Sequence, residues 1–205
     1  MAKAVLISIR PKWVDKILNG EKTLEVRKTR PKLDTPFKCY IYCTKASVKY
    51  QTICGCHVLN SDELYRHPEQ GIKHGDSIEL MLCENYTKDN FLNGKVVGEF
   101  TCDRLETIKA ATEPYGIYDV DDGFVAQTGL VDGALWDYGK GATIYGWHIS
   151  NLKIYDMPKP LYRFKPWNRE CKYNDLGIAI PKCGTCHDCT VEKPPQSWCY
   201  VEELK

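Results

Sequence analysis

The sequence predicts one α+β domain built on a mostly antiparallel β-sheet that closes into a barrel, with helices packed outside. Three observations support this fold class. The 205 residues are enough for one core but too few for two large domains. Several short strand-like segments follow one another, and only one early segment has clear helical periodicity. Apolar residues make up 43% and charged residues 27% of the chain, which excludes wholesale disorder.

The first elements are marked by strong local signals. Residues 4–9 form an apolar run that predicts a strand, and Pro11 stands where the first turn of a helix tolerates proline. Apolar side chains at helical spacing follow until Gly20, which ends the helix. Residues 23–28 alternate between apolar and charged side chains, so they predict a half-buried strand.

The later elements complete the predicted sheet. Further strands are predicted at residues 37–44, 77–83, 95–105, 143–155 and 197–204. Residues 106–142 are acidic and rich in glycine and aromatic side chains, which predicts an insertion of loops and short helices. A cysteine-rich segment at residues 171–199 forms a second insertion, this one near the C-terminus. We therefore treat residues 1–205 as a single domain with two insertions.

Charge is distributed unevenly along the chain. Residues 1–50 hold 12 Lys and Arg against 4 Asp and Glu, a net charge of +8. Residues 51–150 carry −9 and residues 151–205 carry +2, so the whole chain is almost neutral at +1. A basic start predicts one positive face suited to phosphate-bearing partners. The alternative is that folding interleaves the basic and acidic parts.

The N-terminal sequence indicates a cytoplasmic protein. Its apolar run of six residues, residues 4–9, is far too short to span a bilayer. It also lacks the small-residue cleavage pattern of a secretion signal. We therefore expect no membrane partner.

Eleven cysteines, an odd number, favour reduced thiols and a metal site over a disulfide framework. Six of them lie in or beside strand-like runs and are predicted to be small buried hydrophobes: Cys39, Cys43, Cys54, Cys56, Cys83 and Cys102. Near the C-terminus, the spacing C-x2-C-x2-C favours a structural zinc ion, because C-x2-C presents two thiolates to one tetrahedral ion. The predicted ligands are Cys171, Cys183, Cys186 and Cys189, with Cys199 or His187 as an alternative ligand. Free thiols in a loop are the other interpretation.

The densest group of functional side chains lies between residues 8 and 31. If the first two strands are neighbours, six polar side chains converge on one rim at the end of the first helix. These are Ser8, Arg10, Lys12, Lys22, Glu25 and Arg27. A cationic rim with one carboxylate suits a ligand that has both a phosphate and a hydrogen-bond donor, such as a nucleotide. The alternative is a structural ion pair between Glu25 and Arg27.

The same segment carries a family resemblance. Residues 20–28, GEKTLEVRK, match the G-x-K-x-x-E-x-R signature of the ASCH family within the PUA-like superfamily. The stretches at residues 96–105, 145–156 and 194–204 also resemble this family, particularly its small members from bacteria and their phages. The resemblance implies a PUA-like β-barrel with a cleft beside the first helix. It also implies nucleic-acid binding, most often of RNA, or binding of a modified nucleotide.

The resemblance assigns roles to the signature residues and leaves catalysis open. Lys22 and Arg27 would hold phosphate, while Glu25 would accept from a base edge or orient Arg27. Some similar proteins are hydrolases that remove an acyl group from a modified cytidine, and others are proposed to cut RNA. Their key lysine aligns with Lys22, but their threonine nucleophile aligns with Glu25. Thr23 is a substitute nucleophile only if Lys22 lies in the turn, since adjacent strand residues face opposite ways.

Overall fold

The structure is a computed structural model that describes residues 2–45, 92–112, 116–130, 133–167 and 190–204. Its elements, in chain order, are β1 (Lys3–Ile9), α1 (Pro11–Leu18), β2 (Leu24–Arg27), β3 (Phe37–Cys43), β4 (Lys95–Ile108), α2 (Asp122–Thr128), α3 (Ala134–Gly139), β5 (Ile144–Pro160), a 3-10 turn (Leu161–Arg163) and β6 (Trp198–Glu202). The strand predicted at residues 77–83 lies outside the described residues. None of the described helices has the length and hydrophobicity of a membrane span.

The strands form one mixed sheet in the order β2-β5-β4-β3-β1-β6. Four of its pairings are antiparallel, and β1 with β3 is the parallel pair. A parallel pair needs a crossover connection, which α1, β2 and the linker after β2 provide. The predicted α+β class and the mostly antiparallel sheet are confirmed.

The predicted closed barrel is wrong for the part of the chain that the structure describes, because the edge strands β2 and β6 share no ladder. Side chains of β6 instead hold the linker that follows β2. Trp198 Nε1 donates to Thr29 Oγ1 at 3.0 Å, and the backbone N–H of Lys32 donates to the Tyr200 hydroxyl at 2.6 Å. The linker contains Pro31, which has no N–H to donate, so it is a poor continuation of the four-residue strand β2.

Two hydrophobic clusters determine which way the side chains of β2 point. Leu24 and Val26 pack with residues of α2 and α3, including Phe124. Side chains alternate along a strand, so Glu25 and Arg27 face the other side of the sheet. There Glu25 is in register with Trp147 of β5, which packs in the main cluster beneath α1. A carboxylate and a guanidinium are thus placed next to the principal core.

Three of the six cysteines predicted to be small buried hydrophobes lie in described strands and behave as predicted, while Cys54, Cys56 and Cys83 lie outside the described residues. Cys39, Cys43 and Cys102 are free and buried. Burial raises the pKa of the thiols of Cys43 and Cys102 to about 12. These thiols are therefore protonated at neutral pH and act as small hydrophobic groups rather than as nucleophiles or metal ligands.

Candidate functional site

Two charged side chains of β2, Glu25 and Arg27, form a polar group with Lys22 of the preceding turn, and we call these three residues the buried cluster. Glu25 lies at its centre, with Oε1 at 2.9 Å from Arg27 Nε and Oε2 at 3.3 Å from Lys22 Nζ. The exposed fractions of the three side chains are only 3%, 8% and 11% in chain order. Charged side chains this deeply buried are rare in proteins unless they are paired or functional.

Lys22 lies in the turn between α1 and β2, where both neighbouring helices fix it. Its backbone N–H donates to the carbonyl of Lys16 in α1. Its Nζ donates to the carbonyls of Leu24 and Thr128, each at 2.7 Å. With Glu25 as the third acceptor, these contacts require three hydrogens and therefore the ammonium form. Burial lowers the pKa of Lys22, and the charge of Glu25 offsets part of this effect.

Arg27 connects β2 to two other parts of the molecule. Its Nη2 donates to the carbonyl of Ser8 in β1 at 2.6 Å, and its Nη1 donates to Ser197 Oγ at 3.4 Å. Its buried Nε has no hydrogen-bond partner among the described residues. The 2.9 Å approach of Nε to Glu25 is therefore a contact between charges without a well-directed hydrogen bond.

The buried cluster has an excess of positive charge. Two cations, Lys22 and Arg27, contact the single carboxylate of Glu25. An unbalanced charge in a protein interior is costly, since burial removes the water that would otherwise solvate it. An anion bound next to Arg27 would balance the cluster.

The six residues expected at one rim separate into two groups. Ser8 joins Lys22, Glu25 and Arg27, because its carbonyl binds Arg27 while its hydroxyl donates to the carbonyl of Pro195 at 2.6 Å. Arg10 and Lys12 instead extend into solvent. The strands β1 and β2, expected to be neighbours, are at separate positions in the sheet. Arg27 spans the distance between them.

Thr23, the substitute nucleophile of the hydrolase interpretation, lies outside the buried cluster. The acceptors of Lys22 Nζ described above do not include the Thr23 hydroxyl. Thr23 instead lines a surface groove of about 470 Å³. The other residues of the groove are Asp103, Arg104, Gln127, His148 and Ile149.

The structure exposes three cations that the motif-based reasoning missed, and all three follow Arg27 closely in the chain: Lys28, Arg30 and Lys32. Together with Arg10 and Lys12 they form what we call the basic rim: Arg10, Lys12, Lys28, Arg30 and Lys32. Three of these cations lie over aromatic rings, with distances to the ring centroid of 4.5 Å for Lys12 over Trp13, 5.2 Å for Lys28 over Tyr138 and 5.9 Å for Arg30 over Tyr145. The net charge of +8 in residues 1–50 was the signal in the sequence for these additional cations.

Tyr138 of α3 belongs to the same surface. It is 37% exposed. Partial burial raises the pKa of Tyr138, while the nearby charge of Arg27 opposes this rise. The sequence offered no signal for Tyr138, because α3 lies in the weakly periodic insertion.

The predicted zinc ligands Cys171, Cys183, Cys186 and Cys189, and the alternative ligand His187, lie outside the described residues. The other alternative, Cys199, is half-buried in β6, and burial raises its pKa to about 11. No group of three or more His, Cys, Asp or Glu side chains within the described ranges is arranged to hold a metal ion.

Comparisons with known proteins identify the fold. No protein-family model and no curated protein matches the sequence. A serine-to-alanine variant of the ASCH protein from Zymomonas mobilis superposes with a TM-score of 0.51 at 12% identity, covering 98% of this chain and 89% of that one. The chain has the fold of an ASCH domain. At this identity the likeness extends to the ASCH fold alone.

Two further structures from the same organism are similar. The ASCH protein itself gives a TM-score of 0.47 at 13% identity, over 98% of this chain and 88% of that one. A tyrosine-to-phenylalanine variant of that protein gives a TM-score of 0.46 at 13% identity, over 98% of this chain and 92% of that one.

Proposed function

We propose that this chain binds RNA or a nucleotide, with phosphate groups contacting the basic rim and Arg27. The observation that carries the proposal is the exposure of the five cations of the rim. They are exposed, and no ion pair to a carboxylate engages them within the described part of the chain. Cations without carboxylate partners are free to contact phosphate, which dominates the affinity of proteins for nucleic acids.

The aromatic rings beside the rim support a single-stranded or unpaired ligand. Trp13, Tyr138 and Tyr145 each lie beneath a cation of the rim. Proteins that bind single strands combine cations that contact the nucleic-acid backbone with aromatic rings on which bases stack. Each stacked base contributes about 1–3 kcal/mol of binding free energy. The excess positive charge of the buried cluster adds attraction for phosphate at Arg27.

Salt dependence and a matched pair of double variants test this proposal. We expect a labelled single-stranded RNA to bind with an affinity that falls as salt rises, since binding releases counterions. Lys28→Gln with Arg30→Gln should weaken binding and reduce the slope of log Kd against log salt by about 0.7 per lost phosphate contact. Fluorescence anisotropy over a series of salt concentrations measures both quantities.

The control is Lys109→Gln with Lys153→Gln, which removes the same charge from exposed positions outside the rim. This variant should keep most of the affinity and almost the full slope. Equal losses from the two double variants, or an affinity that does not depend on salt, would overturn the proposed site.

A hydrolase acting on RNA or on an acylated nucleoside is the second candidate function, with Lys22 as its key residue. The observation that favours it is the burial of Lys22, which lowers the pKa of the ammonium group. A lysine with a lowered pKa is a better general base or nucleophile. The contacts of Lys22 with two carbonyls and Glu25 oppose this role, because they favour the protonated form.

Incubation with labelled RNA and with a panel of acylated cytidines separates the two functions. Product formation that Lys22→Met abolishes and Lys16→Met preserves would establish the enzyme. Binding without any product would leave the RNA-binding function as the correct one.

We also propose a structural zinc ion held by Cys171, Cys183, Cys186 and Cys189. The spacing of the last three cysteines supports it. Elemental analysis of protein purified without chelator should find about one zinc per chain, and Cys183→Ser should lower this content. A zinc content that matches the buffer blank would remove the proposal.

A further inference from the structure

The groove beside Thr23 owes its shape to a β-bulge in β4. Cys102 pairs with Ile149 and Leu105 pairs with Trp147, so β4 has one residue more than β5 between these pairs. Asp103 and Arg104 therefore share the position opposite His148. Bulges redirect side chains and are common next to functional sites. Here the bulge brings a carboxylate and a guanidinium together at the groove.

Arg104 is held in place at the groove although its side chain is 64% exposed. Its Nη2 lies 3.0 Å from Glu106 Oε1 and 3.3 Å from His148 Nδ1. His148 Nε2 contacts the same carboxylate oxygen at 2.6 Å. Among the described residues, these contacts engage only one nitrogen of the guanidinium, so Nε and Nη1 have capacity for a ligand.

The remaining polar groups of the groove also have unused capacity. Asp103 makes no side-chain hydrogen bond or ion pair within the described ranges, and the same holds for the Thr23 hydroxyl. Gln127 Nε2 donates to the carbonyl of Gly123 at 3.3 Å, and its amide oxygen is available. Ile149 contributes an apolar surface. The groove has a volume of about 470 Å³ and is open to solvent, since four of its six lining residues are exposed.

The groove offers a carboxylate and a guanidinium side by side, at Asp103 and Arg104. It therefore suits a ligand that presents donors to the carboxylate and acceptors to the guanidinium. A carboxylate accepts two parallel donors, while a guanidinium donates to carbonyl and ring-nitrogen acceptors. Among the nucleobases, guanine alone presents two adjacent N–H donors beside a carbonyl acceptor on one edge. We propose that the groove binds guanine, with Asp103 accepting from N1–H and the 2-amino group and Arg104 donating to O6 or N7.

This inference adds a second site to the proposed function, and it holds or fails by itself. The groove contains no residue of the basic rim. A nucleoside has no phosphate, so its affinity does not depend on the rim. If both sites exist, the rim supplies phosphate affinity and the groove supplies selection for guanine.

Calorimetric titration with guanosine, adenosine, cytidine and uridine tests the groove. We expect guanosine to bind with an affinity at least about tenfold above the other three, because a good bidentate pair discriminates by about that much. The affinity should change little with salt. Asp103→Asn should lower it about tenfold or more. Asp156→Asn, which removes the same charge from an exposed position on β5, serves as the control.

Each possible result of the nucleoside titration either supports or overturns the guanine site. Guanosine selectivity that is lost in Asp103→Asn and kept in Asp156→Asn supports the groove, whatever the RNA assay gives. Absence of binding at millimolar guanosine, equal affinity for the four nucleosides, or an unaffected Asp103→Asn protein would overturn it. Unchanged thermal unfolding of Asp103→Asn shows that any loss reflects the site and not the fold.

Discussion

Two polar clusters in this sheet are built from similar residues and differ in exposure and charge balance. One is the buried cluster of Lys22, Glu25 and Arg27. The other, which we call the acidic cluster, consists of Lys38, Glu99, Tyr155 and Glu203. Lys38 Nζ lies 2.8 Å from Glu203 and 3.5 Å from Glu99, and the Tyr155 hydroxyl donates to Glu99 at 2.5 Å.

The charge ratios of the two clusters are opposite. The acidic cluster has two carboxylates for one lysine, and its charged side chains are 20% to 34% exposed. A second cation, Lys159, lies over the Tyr155 ring and its charge helps to lower the pKa of Glu99, so the cluster needs no ligand to balance it. The buried cluster has two cations for one carboxylate and almost no contact with solvent. An unbalanced charge indicates a binding site only where water is excluded, which favours the buried cluster as the functional one.

Removing the central carboxylate of each cluster should give the largest contrast between them. Glu25→Gln leaves two buried cations without a counter-charge, and we expect a loss of about 3–5 kcal/mol in the free energy of unfolding. Glu99→Gln breaks a partly exposed pair and should cost about 1 kcal/mol or less. Urea unfolding at pH 7 in a buffer without phosphate measures both. Equal losses from the two variants would contradict the role of burial in this comparison.

Most of the fold was predictable from local patterns in the sequence. Residues 4–9 and 23–28 show their strands through apolar runs and alternation, and Gly20 marks the end of α1. Whether the sheet closes into a barrel was not predictable, because closure depends on whether the linker after β2 continues a hydrogen-bonded ladder. The order of the strands was equally hidden, since the parallel pairing of β1 with β3 joins segments distant in sequence.

The candidate site was predictable in part. The alternation of β2 places Glu25 and Arg27 on one face, as the structure also does. The burial of Lys22 was not predictable, because its ammonium group is held by the carbonyl of Thr128, which is 106 residues away in the chain. The groove was missed for a similar reason, since a bulge in β4 and a helix in the acidic insertion create it.

Lys22→Met sharpens the comparison, because it removes the excess cation and keeps the Glu25–Arg27 pair. The carbonyls of Leu24 and Thr128 lose their donor, which should cost about 1–3 kcal/mol of unfolding free energy. This loss should be smaller than that of Glu25→Gln. Lys16→Met, at a more exposed lysine, should change stability by about 0.5 kcal/mol or less. A loss in Lys22→Met as large as in Glu25→Gln would show that Arg27 does not balance Glu25.

The smallest expected effect is a pH dependence that belongs to the acidic cluster. Burial opposes ionisation of Glu99, but the Tyr155 hydroxyl and the charge of Lys38 outweigh it, so the pKa of Glu99 is below its ordinary value of 4.5. Just below pH 4.5 the unfolded chain therefore binds more protons than the folded protein at this position. The stabilising contribution of Glu99 is complete above pH 4.5 and is lost as the pH falls through its lower folded pKa.

The stability difference between the natural chain and Glu99→Gln should consequently shrink as the pH falls from 7 to about 3, since only the natural chain loses the carboxylate. Urea unfolding at a series of pH values follows this difference. Tyr155→Phe removes a hydrogen bond to the carboxylate and should move the loss of stability to higher pH, toward 4.5. If the difference stays constant between pH 7 and 3, Glu99 gains nothing from its partners. The acidic cluster would then be a set of solvated charges, and its contrast with the buried cluster would be greater still.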